Sequence, residues 1–354
     1  MSVHPSPRPQ SKSHLATLIF SLLSLTLVSC NNSPSAQSNG SENQPVTLTL
    51  VSYAVTQAAY ESIIPKFAEE WKAKTGQIVK FDQSYGGSGS QTRAIIDGLQ
   101  ADVVALALSS DTIAIEKAGL IQPGWQQEVP NNGIVHKSVV AFVTRDPAIT
   151  INQWSDLARD DIKVITANPK TSGGARWNFL ALWGAIAHTG ASDADALNYT
   201  QQVFNHVPIL PKDAREATDV FYKQGQGDVL LNYENEVLLA KQKGEFYPYV
   251  IPTDYNISID NPIAVVDAIV DKRGTREVAE AFTQFLFTPT AQREFAKVGF
   301  RPVDPTVAAE FASQYPKVDK LLTIDDFGGW DQVQTKFFDD GAIFDQIQSQ
   351  VKRN

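Results

Sequence analysis

Cysteine is almost absent from this 354-residue chain, in which Cys30 is the only one. A single cysteine excludes internal disulfides, thiolate metal sites and a cysteine nucleophile in the folded part. Basic clusters are also absent, and the net charge of -9 argues against nucleic acid as a partner. Hydrophobic residues make up 43% and charged residues 19%, which is typical of a globular protein and excludes a polytopic membrane protein.

The N-terminus departs from this composition. A weakly basic start is followed by "LATLIFSLLSLTLV", which is too short for a comfortable membrane span, and then by "LVSC". This order is typical of an export signal, and Leu27 to Cys30 resembles the lipobox of bacterial lipoproteins. We therefore expect residues 1–30 to be a signal peptide ending at Cys30, which would carry the lipid anchor; an uncleaved anchor is the alternative. The polar residues 31–45 are expected to form a flexible tether.

From Val46 onward the pattern alternates between short apolar runs and amphipathic segments, which predicts an α/β fold with mostly parallel strands. Two such series of comparable size predict two lobes with a ligand cleft between them. We expect residues 46–137 in the first lobe and 138–260 in the second. Residues 261–354 are expected to return to the first lobe and to end in helices that pack on it. The segments "VPILP" and "PIAVVDAIV" read as strands and "GGSGS" as a loop.

Three strand-to-helix loops have the composition of an anion site. They are "SYGGSGSQTR", "KTSGGAR" and "PKDAREAT". Glycine lets several backbone N–H groups converge on one point at the start of a helix, and serine adds hydroxyl donors. Because no Asp or Glu lies within "GGSGS" or "TSGGAR", these loops suit an ion that only accepts hydrogen bonds. Asp213 borders the third loop and could face either way.

The loops lack the patterns of several common sites. "GGSGSQ" fails the dinucleotide pattern G-x-G-x-x-G, no P-loop occurs, and "GGSGS" misses the nucleophile elbow G-x-S-x-G. No cofactor or metal site is expected. An ester hydrolase with Ser88 or Ser172 as nucleophile stays open as an alternative, although His136, His188 and His206 all lie well apart from the loops in sequence.

One arginine follows each loop: Arg93, Arg176 and Arg215. They could be direct ligands of the anion. We favour the interpretation in which they hold the loops through backbone carbonyls or carboxylates.

The segments "FAEEWKAKTG", "GGSGSQTRAIIDGLQADVVALAL", "NPKTSGGARWNFLALWG" and "GDVLLNYENE" resemble, in this order, the sulfate-binding proteins of bacterial ABC importers. The similarity extends from Val46 to about Pro305. It implies the two-lobed type II periplasmic-binding-protein fold, with the ion held by backbone N–H groups and very few side chains.

Carried over by motif, the resemblance implies N–H donors at Ala54, Ser88, Gly173, Gly174 and Ala214. It also implies a hydroxyl donor at Ser172 and a side-chain donor at Tyr233. Two positions depart from better-known members, which have an aspartate in place of Ala54 and a tryptophan in place of Tyr233.

The expected function is therefore that of an exported protein, not an enzyme. It would capture sulfate, or thiosulfate, and deliver it to the permease subunits and ATPase of an ABC importer. A binder of molybdate or phosphate is the alternative in the same class.

Overall fold

The computed structural model describes residues 44–351. The expected signal peptide, Cys30 and the tether before residue 44 lie outside the described residues. Within the described range, no helix is both long enough and apolar enough to span a bilayer.

Strands and helices alternate along most of the described chain. The strands are β1 (Val46–Tyr53), β2 (Val79–Gly86), β3 (Val103–Ala105), β4 (Ile134–Ser138), β5 (Val140–Thr144), β6 (Val164–Ile165), β7 (Val229–Tyr233), β8 (Tyr249–Val250), β9 (Asn256–Ile257), β10 (Ile259–Val265), β11 (Arg301–Pro302) and β12 (Leu321–Leu322). The helices are α1 (Gln57–Thr75), α2 (Ser88–Ile96), α3 (Ser109–Lys117), α4 (Gly173–Ala187), α5 (Asp193–Asn205), α6 (Ala214–Tyr222), α7 (Glu234–Gln242), α8 (Asp267–Arg273), α9 (Arg276–Phe285), α10 (Pro289–Lys297), α11 (Pro305–Glu310), α12 (Trp330–Val333) and α13 (Ile343–Gln350).

Two sheets carry the fold. The larger sheet has the order β11-β4-β10-β3-β1-β2, and the smaller one has the order β6-β7-β5-β8. Helices follow most of the strands, as expected for an α/β protein. Most strands of each sheet run in one direction, as expected, whereas β10 runs antiparallel to β3 and β4, and β5 runs antiparallel to β7 and β8. Both strands enter the middle of a sheet directly from the other half of the molecule, so no helical crossover forces them parallel.

The chain passes between the two sheets over very short segments. β4 belongs to the larger sheet and β5 to the smaller sheet, and Val139 alone separates them. The return runs through β9 into β10 of the larger sheet. Short connections of this kind can act as a hinge between two halves.

Helix α1 shows how the sequence pattern produces the core. Tyr60, Ile63, Phe67 and Trp71 recur at helical spacing. All four side chains are buried on the face of α1 that packs against the larger sheet. Each such burial stabilises the fold by about 1.5–3 kcal/mol. The helix ends at Gly76, which adopts φ +76°.

Three local expectations need correction. The expected strand "VPILP" is absent, because Pro208 and Pro211 remove two backbone donors from that segment. The strand in "PIAVVDAIV" ends at Val265 and gives way to α8. The glycine-serine segment is not a loop throughout, since α2 already begins at Ser88.

The C-terminal segment packs differently from the expectation that it lies on the first lobe. Its aromatic side chains are buried against α4 and α5, which accompany the smaller sheet. The ring pairs are Trp330 with Trp177 at 4.9 Å, Phe337 with Phe179 at 5.7 Å and Phe344 with Phe204 at 5.8 Å. The apolar faces of α4 and α5 therefore cover these rings, while α12 also contacts α3 of the first lobe, where Lys117 pairs with Asp331 at 3.2 Å.

Candidate functional site

All seven residues that the sequence singles out for ligand contact line one small cavity. They are Ala54, Ser88, Ser172, Gly173, Gly174, Ala214 and Tyr233. The rest of the wall consists of Tyr53, Val55, Gly86, Gly87, Ala107 and Asp213. Some of these residues follow strands of the larger sheet and others accompany the smaller sheet, so the cavity lies between the two halves.

Three helices begin at this cavity. α2 starts at Ser88, α4 at Gly173 and α6 at Ala214. Backbone N–H groups in the first turn of a helix have no acceptor within that helix. For Ser88, Gly173, Gly174 and Ala214, no other acceptor bonds to the amide anywhere in residues 44–351. Free donors and the positive ends of three helix dipoles therefore converge, which is a favourable place for an anion.

The two adjacent glycines at the start of α4 allow a very close approach of other residues. A Cβ atom on Gly173 would lie 2.6 Å from Cβ of Ala107. A Cβ atom on Gly174 would overlap the ring of Tyr233 and lie 2.8 Å from its hydroxyl oxygen. Contacts this short do not occur with real side chains, so the closed cavity requires bare backbone at both positions.

Ser172 precedes the two glycines and caps α4. Its Oγ accepts a hydrogen bond from the N–H of Ala175 at 3.3 Å. The hydroxyl proton itself has no acceptor among the described residues. The Ser172 side chain therefore retains one donor that can reach an ion in the cavity.

The Ser88 hydroxyl, by contrast, is fully engaged within the protein. It donates to Asp111 Oδ2 at 2.5 Å and accepts from the N–H of Ala107 at 3.0 Å. Only the backbone N–H of Ser88 is left for a ligand. The same bonds weaken the hydrolase alternative for Ser88, because a carboxylate, not a histidine, holds this hydroxyl.

Sequence reasoning missed the role of Asp111. Ser109, Ser110 and Asp111 are residue types common at helix N-caps, yet Leu108 is the N-cap residue and no side chain caps α3. Asp111 instead holds Ser88 and lies 3.7 Å from the guanidinium of Arg176. Burial raises the pKa of the Asp111 carboxyl, while Arg176, the Ser88 hydroxyl and Arg93 oppose that rise.

Asp213 is a carboxylate residue in the cavity wall. Its Oδ1 accepts from the N–H of Glu216 at 2.9 Å, so the side chain serves as the N-cap of α6. This bond turns the carboxylate toward its own helix. One oxygen of the Asp213 carboxylate is therefore used as a helix cap, while the residue also lines the cavity.

The hydroxyl of Tyr233 has no hydrogen-bond partner among the described residues, although the side chain is only 1% exposed. Burial raises the pKa of this phenol well above its ordinary value, so it stays protonated and can donate. A buried donor without a partner is costly unless something in the cavity accepts from it. Tyr53, whose ring lies 6.2 Å from that of Tyr233, also has an unpartnered hydroxyl.

None of the three arginines lines the cavity. Each donates to a backbone carbonyl of a neighbouring segment: Arg93 to Lys170 at 3.3 Å, Arg176 to Pro169 at 3.0 Å and Arg215 to Val55 at 3.4 Å. This geometry fits the interpretation in which they hold the loops in place.

Groups that a catalytic or metal site would need are not found at this place. His136, His188 and His206 are all absent from the cavity wall. Over the part of the chain that the structure describes, no group of three or more His, Cys, Asp or Glu side chains could hold a metal ion. The arrangement is therefore suited to binding an anion through neutral donors.

Comparison with known proteins gives consistent results. Residues 48–301 match the family model described as bacterial extracellular solute-binding protein. A sulfate-binding protein of Synechocystis sp. is 61% identical over 342 residues, which cover 94% of this chain and 97% of that protein. A thiosulfate-binding protein of Pseudomonas aeruginosa is 35% identical over 314 residues, or 88% of this chain and 94% of that protein. The solved structure of the sulfate-binding protein SubI from Mycobacterium tuberculosis has 39% identity and a TM-score of 0.76, with coverage of 83% and 100%.

Proposed function

The chain belongs to the family of bacterial extracellular solute-binding proteins, and from this premise we propose that it captures sulfate for an ABC importer. It has the two-lobed type II binding-protein fold, with the α/β lobes that the resemblance implied. Its role is binding and delivery to the permease and ATPase of the importer, not catalysis.

The observation that carries the proposal is the set of donors around the cavity. Five backbone amides, at Ala54, Ser88, Gly173, Gly174 and Ala214, are joined by the hydroxyls of Ser172 and Tyr233. Four of these amides and both hydroxyls lack a protein acceptor within residues 44–351. A fully ionised sulfate, which only accepts hydrogen bonds, satisfies all of them.

The energetics allow binding without a salt bridge. About seven hydrogen bonds to a charged ligand, at about 1.5–3 kcal/mol each, contribute roughly 10–20 kcal/mol. Association and ordering cost roughly 4–15 kcal/mol, and the roughly 8 kcal/mol that micromolar binding requires lies within the range of the difference. The overall charge of -9 has little effect, because salt screens distant surface charge over about 8–10 Å.

The proposed selectivity for sulfate depends on having no acceptor aimed at the ion. Phosphate at neutral pH keeps a proton and needs an acceptor in the site. The Asp213 carboxylate caps α6, and the Asp111 carboxylate is bonded to Ser88 outside the cavity wall. The O–H group of a protonated oxyanion would therefore be a buried donor that faces other donors, so such an ion should bind less tightly than sulfate.

Ligand capture is coupled to closure of the two halves. Trp177 of α4 donates its indole N–H to the carbonyl of Ala107, which follows β3, at 2.9 Å. On Gly87, a Cβ atom would lie 2.5 Å from the carbonyl oxygen of Thr171. These contacts join segments from different halves, so the donors assemble around the ion only when the cleft closes.

We propose the lobe division that the sequence suggested, with residues 46–137 and 261 onward in one lobe and 138–260 in the other. The membership of β1 to β4, β10 and β11 in the larger sheet supports it. The segment after β12 is an exception in its packing, as described above.

The protein is exported, like its periplasmic relatives. Beyond that, we propose that Cys30 is lipidated and anchors the protein to a membrane. Replacement of Cys30 by Ser should abolish the incorporation of labelled fatty acid into the protein in growing cells. A wild-type protein found wholly in the soluble fraction would contradict the anchor while leaving sulfate binding untouched.

The proposed ligand is tested by calorimetry of the purified protein with sulfate, thiosulfate, molybdate and phosphate. Sulfate should bind at least about tenfold more tightly than phosphate, and Ser172→Ala should weaken sulfate binding about tenfold or more, since one donor to a charged ligand is lost. Ser192→Ala is the matched control, because Ser192 caps α5 in the same way but lies outside the cavity. Equal affinities for phosphate and sulfate would refute the donor-only site.

A further inference from the structure

Two residues in the first turns of α4 contact the opposite lobe. The indole N–H of Trp177 donates to the carbonyl of Ala107, which follows β3, at 2.9 Å. The guanidinium of Arg176 lies 3.7 Å from the carboxylate of Asp111 on α3. Ala107 also lines the anion cavity, so these contacts join the two lobes directly beside the proposed site.

The loop before α4 makes a third contact of this kind. The carbonyl of Lys170 accepts from Arg93 on α2 at 3.3 Å. The hydroxyl of Thr171 donates to the carbonyl of Lys212, shortly before α6, at 2.6 Å. Ser172, a proposed ligand, comes next in the chain, so the position of this loop decides where the donors at the start of α4 point.

The C-terminal residues 330–345 contact the same part of α4. The ring of Trp330 meets that of Trp177 edge to face, with centroids 4.9 Å apart. Oε1 of Gln334 accepts from the guanidinium of Arg176 at 3.1 Å. Both residues of α4 that reach the first lobe are therefore held by C-terminal side chains as well.

Lys170 is also bound by the C-terminal residues. Its ammonium group donates to the carboxylate of Asp345 at 2.9 Å and to the carbonyl of Phe338 at 3.0 Å, and the carboxylate of Asp340 lies 3.7 Å away. The side chains of Lys170 and Asp345 are 29% and 32% exposed, so solvent screens this pair less than a fully exposed one. The loop before α4 is thus tied to the C-terminal residues through a partly buried ion pair.

Two of these contacts come from a backbone element of a rare type. Gln334–Phe338 form a π-helical turn directly after α12. Its first residue bonds to Arg176, and its last residue, whose ring centroid lies 5.2 Å from the guanidinium carbon of Arg176, bonds to Lys170. π-helical turns are uncommon and occur frequently at functional sites. This turn contacts the two cations that hold the loop before α4 in place.

We infer that residues 330–345 form a brace, which fixes the contacts that α4 and its preceding loop make with the first lobe, and that Gln334 and Asp345 are positioning residues for anion binding. The inference rests on the function proposed above. Neither residue lines the anion cavity, so Gln334 acts through Arg176 and Asp345 acts through Lys170. Without the brace, the closed cleft is less stable and the ion leaves it faster.

The first test measures sulfate binding by stopped-flow fluorescence in a brace variant that combines Gln334→Met and Asp345→Asn. We expect the dissociation rate constant to rise about tenfold and the association rate constant to stay within about twofold, because the brace supports contacts that form when the cleft closes. A purely structural role would instead lower the free energy of unfolding without this division between the two rates.

The matched control variant combines Gln350→Met and Asp193→Asn. These changes remove a bond from Gln201 to Gln350 at 2.7 Å and an ion pair of Lys336 with Asp193 at 2.8 Å. Both link the C-terminal residues to α5 instead of to α4 and its loop. The control should leave both rate constants within about twofold, since it alters no residue that contacts the first lobe.

The second test does not depend on the ligand. Hydrogen exchange of the sulfate-free protein reports on the backbone N–H groups of Lys170, Thr171 and Ser172, all of which bond to Asn168. In the brace variant these groups should exchange at least about fivefold faster than in the wild type, because the loop opens more often. In the control variant they should exchange at the wild-type rate.

The two tests separate the brace from the proposed function. A wild-type protein that binds no sulfate, together with faster exchange in the brace variant alone, would refute the function and support the brace. Unchanged exchange in the brace variant, or equal effects of the brace and control variants on exchange or dissociation, would overturn the brace whether or not sulfate binds.

Discussion

The unpartnered hydroxyl of Tyr233 gives a prediction with two separate readouts. In Tyr233→Phe the ring remains and only the donor disappears from the cavity. If this hydroxyl donates to sulfate, its removal costs about 1.5–3 kcal/mol, so the affinity should fall about tenfold to a hundredfold. The stability of the sulfate-free protein should not fall, because the hydroxyl has no partner in the protein and a buried unpaired donor itself costs about 1–3 kcal/mol.

Isothermal titration calorimetry measures the first quantity, and urea unfolding without sulfate measures the second. Tyr60→Phe is the matched control, since Tyr60 is also fully buried with an unpartnered hydroxyl but does not line the cavity. It should leave sulfate affinity unchanged. If Tyr233→Phe binds sulfate as well as the wild type, Tyr233 is not a ligand and the donor count around the ion is too high.

Two further predictions come from close packing and from burial. Gly174→Ala should weaken sulfate binding at least about a hundredfold, because its Cβ overlaps the Tyr233 ring and keeps the cleft from closing. Gly86→Ala, whose Cβ has only ordinary contacts in the same cavity wall, should have a small effect in the same calorimetric titration, and a comparable loss in both variants would argue against the steric reason. Burial lowers the pKa of His136 to about 3, so below pH 6.5 the unfolded chain takes up a proton that the folded protein does not, and stability falls as the pH drops through that window. Between pH 7 and pH 4.5 this proton uptake lowers the free energy of unfolding by about 2–3 kcal/mol. In His136→Phe the free energy of unfolding, measured with urea, should fall less over the same pH range. An equal fall in both proteins would contradict the prediction.

The elements of the fold that depend on local pattern could be predicted from the sequence. α1 follows from its apolar spacing and from Gly76 at its end, and the helices after the three loops follow from their caps and glycines. The direction of β5 and β10 could not be predicted, since strand direction depends on where the chain crosses between the halves. The packing of the C-terminal aromatic residues on α4 and α5 likewise depends on tertiary contacts that no local pattern encodes.

The residues of the candidate site also fall into two groups, those that the local sequence indicates and those whose role depends on tertiary contacts. Seven ligand residues could be proposed because glycine, serine and helix starts carry their chemistry in the sequence itself, and the resemblance added Ala54 and Tyr233. Asp111 was missed, because a carboxylate next to two serines at a helix start has the pattern of a cap. Only the approach of α3 to α2 reveals that it holds the Ser88 hydroxyl.

The central claim is that neutral donors from two facing lobes hold a doubly charged ion without a salt bridge. A crystal structure of the sulfate complex tests it most directly. We expect seven donors on the ion, from Ala54, Ser88, Ser172, Gly173, Gly174, Ala214 and Tyr233, and no arginine or lysine nitrogen within about 4 Å of a sulfate oxygen. An arginine paired with the ion, or a carboxylate oxygen of Asp213 turned toward it, would contradict the account.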